Sequence, residues 1–99
     1  MPKKGQYTSK EEKKDMDRKA RWGCVVCRKI DMSVITPAEI HHIRKGSGMG
    51  QRGNQTIPLC YHHHRSSKWG IHGMGTKAWT KLYGTEEELL AFYEEHKDE

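Results

Sequence analysis

The sequence predicts a small α+β domain flanked by a helix at each end, and three observations carry that prediction. Ser9 with Glu12, and Thr85 with Glu88, place a helix-start pattern near both termini. A hydroxyl followed three residues later by a glutamate satisfies two of the backbone N–H groups that open a helix. Between them, "MSVITPAEIHHI" mixes β-branched residues with Pro37, the composition of short strands. Third, the chain has 99 residues, of which 33% are hydrophobic. That is one domain with a core too small to offset folding entropy without some form of staple.

The elements follow in order. Residues 1–8 have no apolar period and are expected to be a flexible basic N-terminus, which leaves 9–99 as the folded domain. "KEEKKDMDRKARW" reads as a highly charged helix ending near Trp22, with Met16, Ala20 and Trp22 as a thin inward stripe and Gly23 as its stop. "CVVCRKI" reads as a zinc-knuckle turn. Residues 31–43 read as a short hairpin with His41 and His42 on its second strand. "RKGSGMGQRGNQ" has four glycines and is a loop. "TIPLC" approaches Cys60, and a helix begins at about His62. "GIHGMG" is a turn-rich break. "TKAWTKLY" is a short helix stopped by Gly84. "TEEELLAFYEEH" closes the domain, with Leu89, Leu90, Phe92 and Tyr93 on an apolar face and the acids on a solvated one. Trp22, Trp69, Trp79, Phe92 and Tyr93 are assigned to the core, because few other large apolar side chains exist to build one.

The chemistry is concentrated in the middle of the chain, where six of the seven histidines lie between His41 and His72. Cys24, Cys27 and Cys60 are the three cysteines. An odd number, with no apolar signal segment, points to a reduced, cytoplasmic protein rather than a disulfide framework. Cys24-x-x-Cys27 and Cys60-x-x-His63 have matched knuckle spacing and make a Cys3His tetrahedral set, a structural zinc composition. Such an ion supplies about 10–16 kcal/mol of apparent folding energy, which answers the shortage of apolar area. A second set comprises His41, His42, His64 and His72. His64 adjoins His63 and points elsewhere. Neighbours on a strand face opposite ways, so only one of His41 and His42 can join it. One imidazole on a metal beside one that can take a proton from water is the equipment of a hydrolase. Exposed histidines with no shared function would leave a plain zinc-stapled domain.

Charge indicates the partner. Residues 1–84 carry seventeen Lys/Arg against six acids, and residues 85–99 carry one against seven, so a +11 body precedes a −6 tail. A basic body of this size fits a polyanion, most simply nucleic acid. Arg44, Lys45, Arg52, Arg65 and Lys68 flank the histidine set and are candidate phosphate contacts in DNA binding. No apolar run approaches the length of a membrane span, so no membrane partner is expected.

Taken together, "CVVC", "EIHHIRKGSGMGQRGNQTIPLCYHHHR", "GIHGMGTKAW" and "YGTEEELL" resemble the HNH endonucleases, and more specifically the phage recombination-enhancement (Ref-type) nucleases. The resemblance covers about residues 20–92. It implies a ββα-metal fold, in which two strands and a helix clasp a catalytic metal. It implies that His41 and His64 bind that metal and that His42 is the general base. Cys60 and His63 join Cys24 and Cys27 on the structural zinc, and His72 is a candidate third ligand of the catalytic ion. The asparagine that orients the base falls on Asn54 or Gln55. His62 matches no ligand position. DNA is the implied substrate, a recombinase filament a further partner, and a bacterial host's cytoplasm the setting.

The reading is therefore a metal-dependent HNH DNA endonuclease, a nickase or double-strand cutter. Zinc is structural, and Mg, Mn, Ni or Zn sits at the catalytic site. The alternative is a non-catalytic, zinc-ribbon-like nucleic-acid-binding adapter. It explains the charge and the first metal set but not the joint presence of His42 and His64.

Overall fold

The computed structural model describes residues 10–43 and 55–99. Along the chain these form α1 (Lys10–Trp22), α2 (Val25–Ile30), β1 (Glu39–His42), β2 (Thr56–Leu59), α3 (Tyr61–His64), α4 (Ile71–Met74), α5 (Thr76–Tyr83) and α6 (Glu86–His96). The class is α+β, with one two-stranded antiparallel sheet among the described residues. Residues 1–8, Ser9 of the first capping pattern, Arg44, Lys45, Arg52, Asn54 and the loop glycines lie outside the described residues.

α1 ends where expected, at Gly23, whose φ of 102° is open to glycine and unfavourable for residues with a Cβ. Met16 and Ala20 are half-buried and Trp22 is buried, as the stripe requires. The helix also buries Lys19, which composition alone would place in solvent. Its Nζ donates to the Thr56 carbonyl (2.7 Å) and the Thr56 hydroxyl (2.8 Å), and pairs with Asp15 (2.9 Å). All three ammonium protons have acceptors, which is the condition for burying a lysine. The bond ties α1 to β2.

The strand pairing differs from the sequence expectation. β1 pairs with β2, in the register Glu39 with Leu59, Ile40 with Pro58, His41 with Ile57 and His42 with Thr56. Residues 31–38 are not its partner. Asp31 folds that stretch into a turn, its carboxylate accepting from the Ser33 N–H (3.0 Å) and hydroxyl (2.8 Å) and its carbonyl from the Val34 N–H (2.9 Å). Pro37 then denies it a ladder donor. The β-branched residues Val34 and Ile35 are exposed, and Thr36 instead accepts from the Cys24 N–H at 3.0 Å. The CVVC segment is likewise helical from Val25 rather than a bare turn, and "GIHGMG" contains the helical turn α4.

α5 and α6 fall as predicted. The Thr85–Glu88 capping box is present in full, with the Glu88 N–H donating to the Thr85 hydroxyl (3.0 Å) and the Thr85 N–H to the Glu88 carboxylate (2.8 Å). Leu89 and Tyr93 are buried, with Leu90 and Phe92 packed against the same core. Trp22 meets Tyr93 and Phe92 edge-on, at ring separations of 5.1 and 6.4 Å, so the first and last helices share one aromatic cluster. Trp79 is fully buried, whereas Trp69 is 46% exposed and does not join the core. No helix among the described residues is long and apolar enough to cross a membrane.

Candidate metal centres

The first centre is built from two helix starts. Cys24 is the residue before α2 and Cys27 lies one turn into it; Cys60 is the residue before α3 and His63 lies within it. Packing of α2 against β2 brings the two starts together. His63 Nδ1 lies 3.2 Å from Cys60 Sγ, 3.6 Å from Cys24 Sγ and 3.7 Å from Cys27 Sγ, and the Cys27 and Cys60 sulfurs are 4.0 Å apart. The four ligand atoms lie within 4.8 Å of one another, close enough to share one ion. The set is the one expected from the paired spacings.

Electrostatics suit a cation there. Burial pushes the Cys24 thiol well above its ordinary range, against the backbone N–H groups of Cys27 and Cys60 that pull it down. Burial raises the Cys60 thiol as well. Burial, and secondarily the neighbouring His62, lowers His63 to about 4, so its ring is neutral at pH 7 and its Nδ1 lone pair is available to an ion. Thiols so disfavoured as anions become anionic when a dication replaces their protons. Zinc added to metal-free protein at pH 7 should therefore release about three protons, one for each thiol. A weakly buffered indicator titration measures this; release of fewer than one proton per zinc would exclude a thiolate site.

The second centre joins three elements. His41 comes from β1, His64 from α3 and His72 from α4, and one nitrogen of each lies within 4.8 Å of the others. His64 and His72 approach to 3.0 Å between Nε2 atoms, and the His41 ring centroid is 5.3 Å from each of theirs. His41 and His64 are buried and His72 is exposed. α4 reaches this position because two glycines let it lie against the chain that follows α3. A Cβ on Gly73 would stand 2.1 Å from the Ser66 carbonyl oxygen, and one on Gly70 would stand 2.6 Å from the Ser66 nitrogen. The glycines flanking His72 are thus what bring it to His64.

Two carboxylates hydrogen-bond to this cluster. Glu39 precedes His41 by two positions and so shares its face of β1. Arg65 first, and His64 second, hold Glu39 at about 2, so it is ionised at neutral pH. An ionised carboxylate only accepts, so His64 Nδ1 donates to Glu39 Oε1 (2.8 Å), leaving the His64 Nε2 lone pair facing His72. Arg65 grips Glu39 from outside, Nε donating to Oε1 at 3.0 Å and Nη2 to Oε2. His41 Nε2 donates to Glu86 Oε2 at 2.6 Å.

The remaining candidates are placed as follows. His42 is half-buried opposite Thr56, on the face of β1 away from Glu39 and His41, and belongs to neither ligand group. Gln55 is exposed and its carbonyl accepts from the Ile43 N–H at 3.0 Å. Lys68 is exposed, and Arg65 is exposed but engaged with Glu39. His62 stacks on Trp69, at a ring separation of 6.1 Å, outside both centres. Sequence reasoning missed Glu39 and Glu86. The first was readable from strand alternation. The second, assigned to a solvated acidic face, carried no local signal, because its partner lies 45 residues away.

No curated protein gives a significant match to the chain. A family model does match, that of recombination enhancement, RecA-dependent nucleases, over residues 8–98. That span contains both ligand clusters and every described helix and strand. It agrees with the Ref-type resemblance carried by the EIHHI, LCYHHH and GIHGMG stretches. The chain therefore belongs to the family of recombination-enhancing, RecA-dependent nucleases.

Proposed function

We propose that this chain is a metal-dependent HNH endonuclease of DNA, acting in phage or prophage recombination in the cytoplasm of a bacterial host. In this reading β1, β2 and α3 are the ββα-metal unit. The observation that carries it is the convergence of His41, His64 and His72 on one point, with His42 the next residue along β1. Three imidazoles suit a divalent transition ion with positions left for substrate. An ion held there stabilises charge on the scissile phosphate and its leaving group.

The chain's own residues divide the remaining work. His42 accepts the proton of the attacking water, a role for which imidazole is suited near neutral pH. Asn54 or Gln55 orients that ring. Glu39 fixes the tautomer of His64. Arg44, Lys45, Arg52, Arg65 and Lys68 contact phosphates and position the duplex without reading its sequence. The Cys24, Cys27, Cys60 and His63 set holds the structural zinc that keeps α3, and with it His64, in place. Cleavage leaves a 5′-phosphate and a 3′-hydroxyl, as the HNH resemblance implies.

Supercoiled plasmid incubated with purified protein and Mg, Mn, Ni or Zn tests the proposal. Nicked or linear product that depends on one of these ions, stimulated by a recombinase filament on the DNA, is the expected result. Metal analysis should give two ions per chain. One ion per chain and no cleavage under any of these conditions would leave the zinc-ribbon-like adapter.

A further inference from the structure

Glu86 is placed with unusual definition for a residue of an acidic surface helix. It is the first residue of α6, directly after the Thr85 cap, and the complete capping box fixes the backbone there. Leu89, fully buried one turn on, and the Trp22–Tyr93 contact hold the rest of α6 to the core. Its side chain is 13% exposed, and that of His41 is 7% exposed. Among the described residues, His41 Nε2 is the hydrogen-bond partner of the Glu86 carboxylate, at 2.6 Å. The hydrogen bond is enclosed at both ends, which strengthens it and restricts the His41 ring to one orientation.

We propose that Glu86 is a positioning residue for His41. Its carboxylate accepts a hydrogen bond from the His41 Nε2–H, holds the ring's orientation and leaves the Nδ1 lone pair for the ion shared with His64 and His72. This rests on the nuclease reading of the second centre. It makes the C-terminal helix a part of that centre, whereas charge alone assigns the helix to solvent. A carboxylate behind a metal-binding histidine fixes its tautomer and raises its basicity, and loss of such a partner lowers metal affinity by about 10–100-fold.

The test uses full-length protein carrying zinc at the Cys3His site, titrated with Co²⁺ and followed by the visible d–d band of a nitrogen-ligated ion. Wild-type protein should take up one further Co²⁺ per chain. Glu86→Ala should bind it about 10–100-fold more weakly. Glu86→Gln should fall between the two, because its amide oxygen still accepts from the Nε2–H. Structural zinc content and circular dichroism should be unchanged in both variants. If wild type takes up no second ion, the nuclease reading fails and this inference with it. If wild type does and Glu86→Ala binds equally well, only the inference fails. Equal losses in Glu86→Gln and Glu86→Ala also overturn it, because they make the carboxylate a direct ligand. Should Glu86→Ala not fold, the comparison of Glu86→Gln with wild type decides alone: unchanged affinity and an unchanged band refute a carboxylate role.

Discussion

Cys24→Ser should have no cooperative thermal transition. Domains of this size are stable by about 5–15 kcal/mol, and a structural zinc contributes about 10–16 kcal/mol of apparent folding energy, so the ion is worth as much as the whole margin. Cys24 is fully buried and sits between α1 and α2, where its sulfur faces His63 at 3.6 Å. A serine there offers no anionic sulfur, and three ligands remain for an ion that binds through four. The consequence spreads beyond the site. Cys60 and His63 are joined to Cys24 and Cys27 across 33 or more residues, with all of β1 between them. Without the ion, Val25, Val26 and Leu59 have no cross-link to hold them in one core. Calorimetry and far-UV circular dichroism measure the effect, and chelation of wild-type protein should reproduce it. A melting curve that matches wild type would contradict a structural role for the first centre.

His42→Ala should give the opposite pattern, with the fold and both ions kept and cleavage lost. General-base catalysis contributes about 10²–10⁴-fold, and the variant should lose activity within that range. His42 is half-buried on a short strand and is in neither ligand group, so truncation leaves both sets of donors intact. The expected stability cost is about 1 kcal/mol, typical of a point substitution. Plasmid cleavage, metal content and melting temperature measured on one preparation separate the two effects. Full-rate cleavage by the variant would remove His42 from the chemistry. Loss of an ion together with activity would instead make it a ligand.

Much of this was legible in the residues, and the exceptions have physical causes. Ligand pairs three apart on a helix start are local, so the Cys24, Cys27, Cys60 and His63 set could be read from spacing. Capping is local too, and Thr85 with Glu88 opens α6 as read. The glycines around His72 suggested only a break; their use, letting α4 lie on Ser66, is a contact between segments that no local pattern encodes. Strand pairing is non-local in the same way. Val34 and Ile35 have the composition of a strand, but Asp31 and Pro37 close that stretch, and β1 found its partner at Thr56–Leu59. Lys19 and Glu86 mark the same limit for charge. Each reads as solvated surface until its partner, 37 or 45 residues away, is in view.

The junction where Ile43 donates to the Gln55 carbonyl has a further consequence. It carries the ladder one step past the His42–Thr56 pair, so His42 does not end the hydrogen-bonded ribbon. Ile43 and His41 are both buried, so the backbone of His42 is held between two anchored neighbours and its ring is presented from a rigid ribbon rather than from a fraying end.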